Sequence, residues 1–178
     1  MRKSTGSLQK KEDQKTRLMQ IVRQHLDRYG IKVARWYSYD PESTSVQSFY
    51  ACMESNRVWI PKPVDTYTFY ICMHEIGHIA TGPRKYAYLQ EMNAEQYAIR
   101  KLKQYRLEDP EIVREAKEYV TRTICEDMVW RGLPAHAVQM RVRKWVRKSP
   151  KKLKEIAIDT ITRFIQADAD SVEDFRAI

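Results

Sequence analysis

No run of the 178 residues approaches eighteen uninterrupted apolar positions, so the pattern offers no membrane-spanning helix. The stretch up to Arg17 is polar and rich in lysine and arginine, without the apolar core of a secretory signal, and a cytoplasmic protein is expected. Cysteine is scarce. Cys52, Cys72 and Cys125 form an odd and scattered set, which favours reduced thiols over a disulfide framework. No repeat or low-complexity array occurs. Histidine is nearly as scarce, with four in the chain, yet two of the four fall within one five-residue segment.

What is present suffices for an ordinary globular core: 43% of residues are hydrophobic and 11% aromatic, enough for one domain with a helical appendage. The formal net charge is +9.

The five-residue segment is His74-Glu75-Ile76-Gly77-His78. On a helix, residues four apart lie one above the other, about 6 Å along the axis, so both imidazoles can turn toward one ion. Glu75 falls beside them, where a carboxylate can take a proton from a water attacking a carbonyl. A shuffled chain of this composition contains such a pattern in about 0.5% of cases. The plainer reading is an amphipathic helix whose two histidines pack or cap. Its flanks fit a metal site better. The pattern predicts a largely buried helix from Val64 to Ala80, with Tyr67, Phe69, Tyr70, Ile71, Cys72, Met73, Ile76 and Ile79 around most of its circumference, stopped by Gly82-Pro83. Gly77 is unfavourable in a helix interior by about 1 kcal/mol against Ala, which points to a close approach of neighbouring backbone. Cys72 lies two residues, about 200°, from His74 and is expected in the core.

Two histidines leave a catalytic zinc (Zn2+) one protein ligand short. Thr81 and Arg84 stand where a metzincin needs Gly and His, which excludes that class. A second helical pattern, from Lys85 to Tyr105, carries Glu91 and Glu95 one turn apart.

With these residues the chain resembles the ImmA/IrrE-type metallopeptidases, small gluzincin-like proteins associated with phages, mobile elements and bacterial stress regulation. The resemblance spans roughly residues 57 to 100. It rests on Arg57-Val58-Trp59-Ile60, on Cys72 to His78, and on Glu91-Met92-Asn93-Ala94-Glu95-Gln96-Tyr97-Ala98, similar to the family's Glu-x-x-Ala-Asn/Asp-x-Phe-Ala. The family's Leu-Leu-Met-Pro continuation is replaced by Ile99-Arg100-Lys101-Leu102-Lys103. By position the resemblance gives Glu91 the third-ligand role, and Glu95 the place of the residue that orients a zinc histidine from behind. Glu95 is one methylene longer than the usual Asp, so it stands as the alternative ligand. What the resemblance implies is a zinc endopeptidase cleaving a specific protein target, such as a transcriptional repressor, and an extended substrate lying along a strand near the cleft, with Arg57 to Ile60 the nearest candidate.

The expected architecture is α+β: a small antiparallel sheet packed on the zinc-motif helix and the ligand helix, in a minimal gluzincin-like arrangement, followed by extra C-terminal helices. Residues 1–7 read as a disordered basic arm, 8–106 as the zincin-like core and 107–178 as a helical part packed on it. A first helix runs from Leu8 to Tyr29, with Leu18, Ile21, Val22, His25 and Leu26 inward and Gly30 at its end. Strands follow at 31–39, 46–53 and 57–60, the last two joined by a tight turn at Glu54-Ser55-Asn56. Further helices are expected at 110–130, 134–148 and 150–167, with Ser149 as the cap of the last.

Residues 141 to 154 hold Arg141, Arg143, Lys144, Arg147, Lys148, Lys151, Lys152 and Lys154 and no acid. Such a run is a solvated face, a dock for an acidic protein, or a nucleic-acid site, with Arg143, Lys144, Arg147 and Lys148 the candidate contacts. The segment from Thr123 to Val146 has a superficial helix-turn-helix outline, but Arg141 falls where an apolar anchor belongs. His136, Tyr86 and Tyr88 are weighed as donors to an oxyanion, against ordinary structural use. The rival to the enzyme is a DNA-binding or protein-interaction module on a catalytically inactive zincin scaffold.

Overall fold

The computed structural model describes residues 5–39 and 49–162. It is an α+β protein: α1 (Thr5–Arg28), β1 (Lys32–Tyr37), β2 (Tyr50–Cys52), β3 (Arg57–Pro61), α2 (Thr66–Thr81), α3 (Ala87–Gln104), α4 (Pro110–Trp130), a 3-10 turn (Ala135–Ala137), α5 (Met140–Val146) and α6 (150–162). Among the described residues no helix is long and apolar enough to cross a membrane.

The chain divides into two compact units. One comprises Met1–Lys85 with Gln90–Val113, the other Tyr86–Leu89 with Arg114–Ile178. Tyr86 and the first three residues of α3 thus group with the second unit.

In the first unit, α1 begins at Thr5, so Thr5 to Ser7 are helical rather than part of the arm expected over 1–7; residues 1–4 lie outside the described residues. The first turn of a helix leaves its amides to solvent and needs no apolar side chain, so periodicity does not mark it. Leu18, Ile21, Val22 and Leu26 of α1 join Val58 and Ile60 of β3, Phe69, Met73 and Ile76 of α2, and Tyr97, Ala98 and Leu102 of α3 in one core. His25 enters this apolar face neutral. Its Nδ1 lies 2.9 Å from the Tyr97 hydroxyl and its Nε2 3.1 Å from that of Tyr105, one donor and one acceptor meeting groups that can each do either.

The sheet is mixed, which corrects the antiparallel expectation. Its order is β1-β3-β2, with β1 parallel and β2 antiparallel to β3. The tight turn over 53–56 pairs β2 with β3 as expected, and Asn56 supplies its positive φ of 52°. That turn lays β3 between its two neighbours. The Asn56 amide then donates to the carbonyls of Tyr29 (3.1 Å) and Gly30 (2.7 Å), holding the turn against the end of α1.

In the second unit, Asp127 of α4 is buried; it accepts from the Tyr88 amide (3.2 Å) and pairs with Arg131 (3.1 Å). The continuous helix expected over 134–148 is instead a 3-10 turn, an extended pair at Val138 and Gln139, and the seven-residue α5. Val138 is buried and its carbonyl accepts from Arg143 Nε (3.0 Å), so burial of one β-branched residue interrupts the helix. Ser149 caps α6 as expected, accepting from the Lys152 amide at 3.2 Å. The helix continues to 162, and the expected extension to 167 lies outside the described residues.

Candidate metal centre

Helix α2 starts at Asp65, whose carboxylate accepts from the Thr68 amide (2.8 Å) while the Thr68 hydroxyl accepts from the Asp65 amide (3.0 Å). This reciprocal cap, which pattern reading passed over, fixes where the helix begins and hence which way its last turns face. From Phe69 to Gly77 most of the helix is buried, and Gly82 ends it at φ 68°. Cys72 points into the core and donates to the Pro61 carbonyl at 3.2 Å, with burial pushing its thiol up; it is no ligand candidate.

Helix α3 crosses α2 at Gly77. A Cβ there would sit 3.0 Å from both Cα and O of Ala94 and 3.1 Å from Tyr97 Cβ. Glu91, one turn before Ala94, is thereby brought to the two histidines. His74 Nε2 lies 3.0 Å from His78 Nε2, Glu91 Oε2 lies 3.3 Å from the first, and 3.5 Å separates it from the second.

Those three separations bear on whether the residues fit a metal. Ligands about 2.0–2.1 Å from a tetrahedral zinc stand roughly 3.3 Å apart. The buried Glu91 Oε2 has no hydrogen-bond partner of acceptable geometry, as expected of a donor aimed at a shared centre rather than at a neighbour. The group His74, His78 and Glu91 could hold a metal ion.

Glu95 occupies a different place. Its Oε1 lies 3.1 Å from His74 Nδ1, on the far side of that ring, and its Oε2 accepts from the Tyr70 hydroxyl at 2.6 Å. Glu91 therefore faces the two Nε2 atoms and Glu95 supports one ring from behind. Gln90, which no sequence pattern singled out, lies behind the other: its Nε2 is 3.4 Å from His78 Nδ1 and 3.2 Å from Met53 Sδ, while its Oε1 accepts from the Arg84 amide at 2.8 Å.

The electrostatics follow from burial among opposed charges. Burial alone would lower the His74 pKa, but the close carboxylates of Glu91 and Glu95 and the charge of Glu75 outweigh it, and the net shift is upward. Burial likewise works to raise Glu91, and the two histidines overcome it, bringing the carboxyl down to about 2. Glu75, itself buried, is pushed up by desolvation. Three carboxylates around two imidazoles leave a surplus of negative charge that a divalent cation would balance.

Other expectations fare differently. β3 is the central strand with both edges hydrogen-bonded, so Arg57 to Ile60 cannot accept an added strand. Among the described residues no strand pairs with the outer edge of β2, which packs on α2. In the second unit, Tyr86 and Tyr88 stack on each other at 5.6 Å, Tyr88 is fully buried, and His136 is exposed on the 3-10 turn.

Comparison of the chain with protein-family models, with curated proteins and with solved structures finds no match in any of the three.

Proposed function

We propose that the chain is a zinc-dependent endopeptidase of the His-Glu-x-x-His, gluzincin-like type. The observation that carries the reading is the convergence of His74 Nε2, His78 Nε2 and Glu91 Oε2 within 3.0–3.5 Å, with Glu75 adjacent in sequence to the first ligand. Zinc, when bound, supplies Lewis acidity that renders a water acidic near pH 7 and polarises a carbonyl. His74, His78 and Glu91 hold it. Glu95 and Tyr70 fix the orientation of the His74 ring and keep its proton on Nδ1. Glu75 accepts the proton of the attacking water at its carboxylate and passes it to the leaving amine. The raised Glu75 pKa suits both halves of that transfer, since a base that must give its proton back works best nearer neutrality.

An extended peptide is the substrate form that suits the sheet, lying as a further strand along the outer edge of β2. The resemblance of Cys72 to His78 and of Glu91 to Ala98 to the ImmA/IrrE-type enzymes supports a protein target of the regulator class, such as a DNA-binding repressor.

The test uses a quenched fluorescent peptide library and the zinc-loaded chain. Glu75→Gln is expected to keep fold and zinc, because an amide preserves size, while library cleavage falls at least about a hundredfold. Equal turnover by wild type and variant would sink the mechanism.

A further inference from the structure

We propose that the basic face formed by α5 and the start of α6 binds the phosphate backbone of duplex nucleic acid without reading its base sequence. The inference is independent of the metal site and concerns only the second unit.

Its first support is segregation of charge within that unit. On α4 the signs alternate, with Arg114 paired to Glu118 at 2.7 Å and acids and bases interleaved along the helix, as a merely solvated surface would have them. Residues 141 to 154 carry eight cations and no acid. Among the described residues one ion pair draws on them, Lys152 with Glu155 at 3.2 Å, and it is exposed. Like charges crowded in this way repel one another and destabilise the compact state, a penalty that a polyanion removes.

The second support is how the cations are held. Val142, Val146 and Leu153 are buried, pinning both helices, and Arg147 turns the chain between them in the left-handed region at φ 56°. Arg141, Lys144, Arg147, Lys151, Lys152 and Lys154 are left exposed on α5, the turn that follows it and the start of α6. Arg143 and Lys148 are the exceptions, both half-buried; Arg143 donates to the Val138 carbonyl, so it supports the face more than it presents charge. Helix α5 has seven residues, about 10 Å. That is too short to lay a reading surface along a major groove, and of its exposed residues Met140 is apolar while Arg141 and Lys144 are cations able to neutralise phosphates. Recognition through the backbone is what remains.

The experiment measures binding of the full chain to a fluorescently labelled DNA duplex of arbitrary sequence, by anisotropy, across a salt series. Log K should fall linearly with log salt, and the triple variant Arg141→Ala, Lys144→Ala, Lys151→Ala should reduce the slope by about 2.7, or roughly 0.9 for each phosphate no longer neutralised. Charge-preserving Arg141→Lys should leave the slope unchanged, and circular dichroism should show all variants folded. Three results would overturn the proposal: no duplex binding at roughly 50 mM salt, where phosphate contacts are strong; a wild-type slope in the folded triple variant; or preference for polyglutamate over duplex, which would assign the face to an acidic protein partner.

Discussion

Ala94 Cα lies only 3.0 Å from where a Cβ on Gly77 would stand. The missing side chain is therefore what allows α3 to lie against α2 closely enough for Glu91 to reach His74 and His78. Backbone cannot yield as a flexible side chain would, so Gly77→Ala should force the helices apart. A destabilisation of about 1–3 kcal/mol is expected from overpacking. Zinc affinity should fall as well, because the displaced helix carries the third ligand. Unchanged thermal stability and zinc affinity in Gly77→Ala would show that the contact does not set the geometry.

The division of labour between Glu91 and Glu95 gives a second prediction. Purified chain should carry about one zinc, completing three protein ligands and one open position. Glu91→Ala should remove a donor and abolish tight binding. Glu95→Gln keeps an oxygen near His74 Nδ1 but loses the charge, and should weaken zinc by about 10–100-fold, the usual effect of a supporting partner. Isothermal titration of both variants decides it: tight zinc retained by Glu91→Ala, with loss in Glu95→Gln, would exchange the two roles.

The contrast between what could and could not be read in the sequence follows from which distances are local. His74, Glu75 and His78 share one helix, so covalent spacing alone sets their relation. Gly77 is conspicuous because a buried helix has no local use for it. Glu91 and Glu95 differ by one turn, and only the packing of α3 shows which faces Nε2 and which Nδ1. Gln90 has no pattern of its own; its place behind His78 appears once α3 lies on α2. The parallel pairing of β1 with β3 is equally hidden, since side chains alternate with period two in either direction. Val138 interrupts a run of good helical periodicity through burial in its own unit, a tertiary preference overriding a local one.

Gln90 gives a third prediction. If His78 coordinates through Nε2, its proton sits on Nδ1 and requires an acceptor, and turning the Gln90 amide about its last torsion presents Oε1 there. Gln90→Leu should then lower zinc affinity about tenfold or more, whereas Gln90→Glu, which offers an oxygen in either orientation, should restore it. If both substitutions leave the affinity at the wild-type value, Gln90 merely fills space between Met53 and α2.

His25 yields a prediction on pH. Burial, with the charges of Lys101 and Arg28 nearby, lowers its pKa from 6.5 to about 4, so it is neutral between the hydroxyls of Tyr97 and Tyr105 in the folded protein. The sign follows from proton binding. Below about pH 6.5 the unfolded chain takes up a proton that the folded one refuses until about pH 4, so stability is full above the first value and declines as pH falls toward the second, by at most about 1.4 kcal/mol per unit. Carboxylates titrate in the lower part of this window too, which makes the comparison with a variant necessary. His25→Gln retains one donor and one acceptor for the two hydroxyls but has no proton to gain. Urea unfolding at intervals between pH 7 and pH 4.5 should therefore show wild type losing stability faster than His25→Gln, with the two curves diverging by about 2–3 kcal/mol. Parallel curves would mean that His25 is protonated in the folded state, with both tyrosine hydroxyls acting as acceptors.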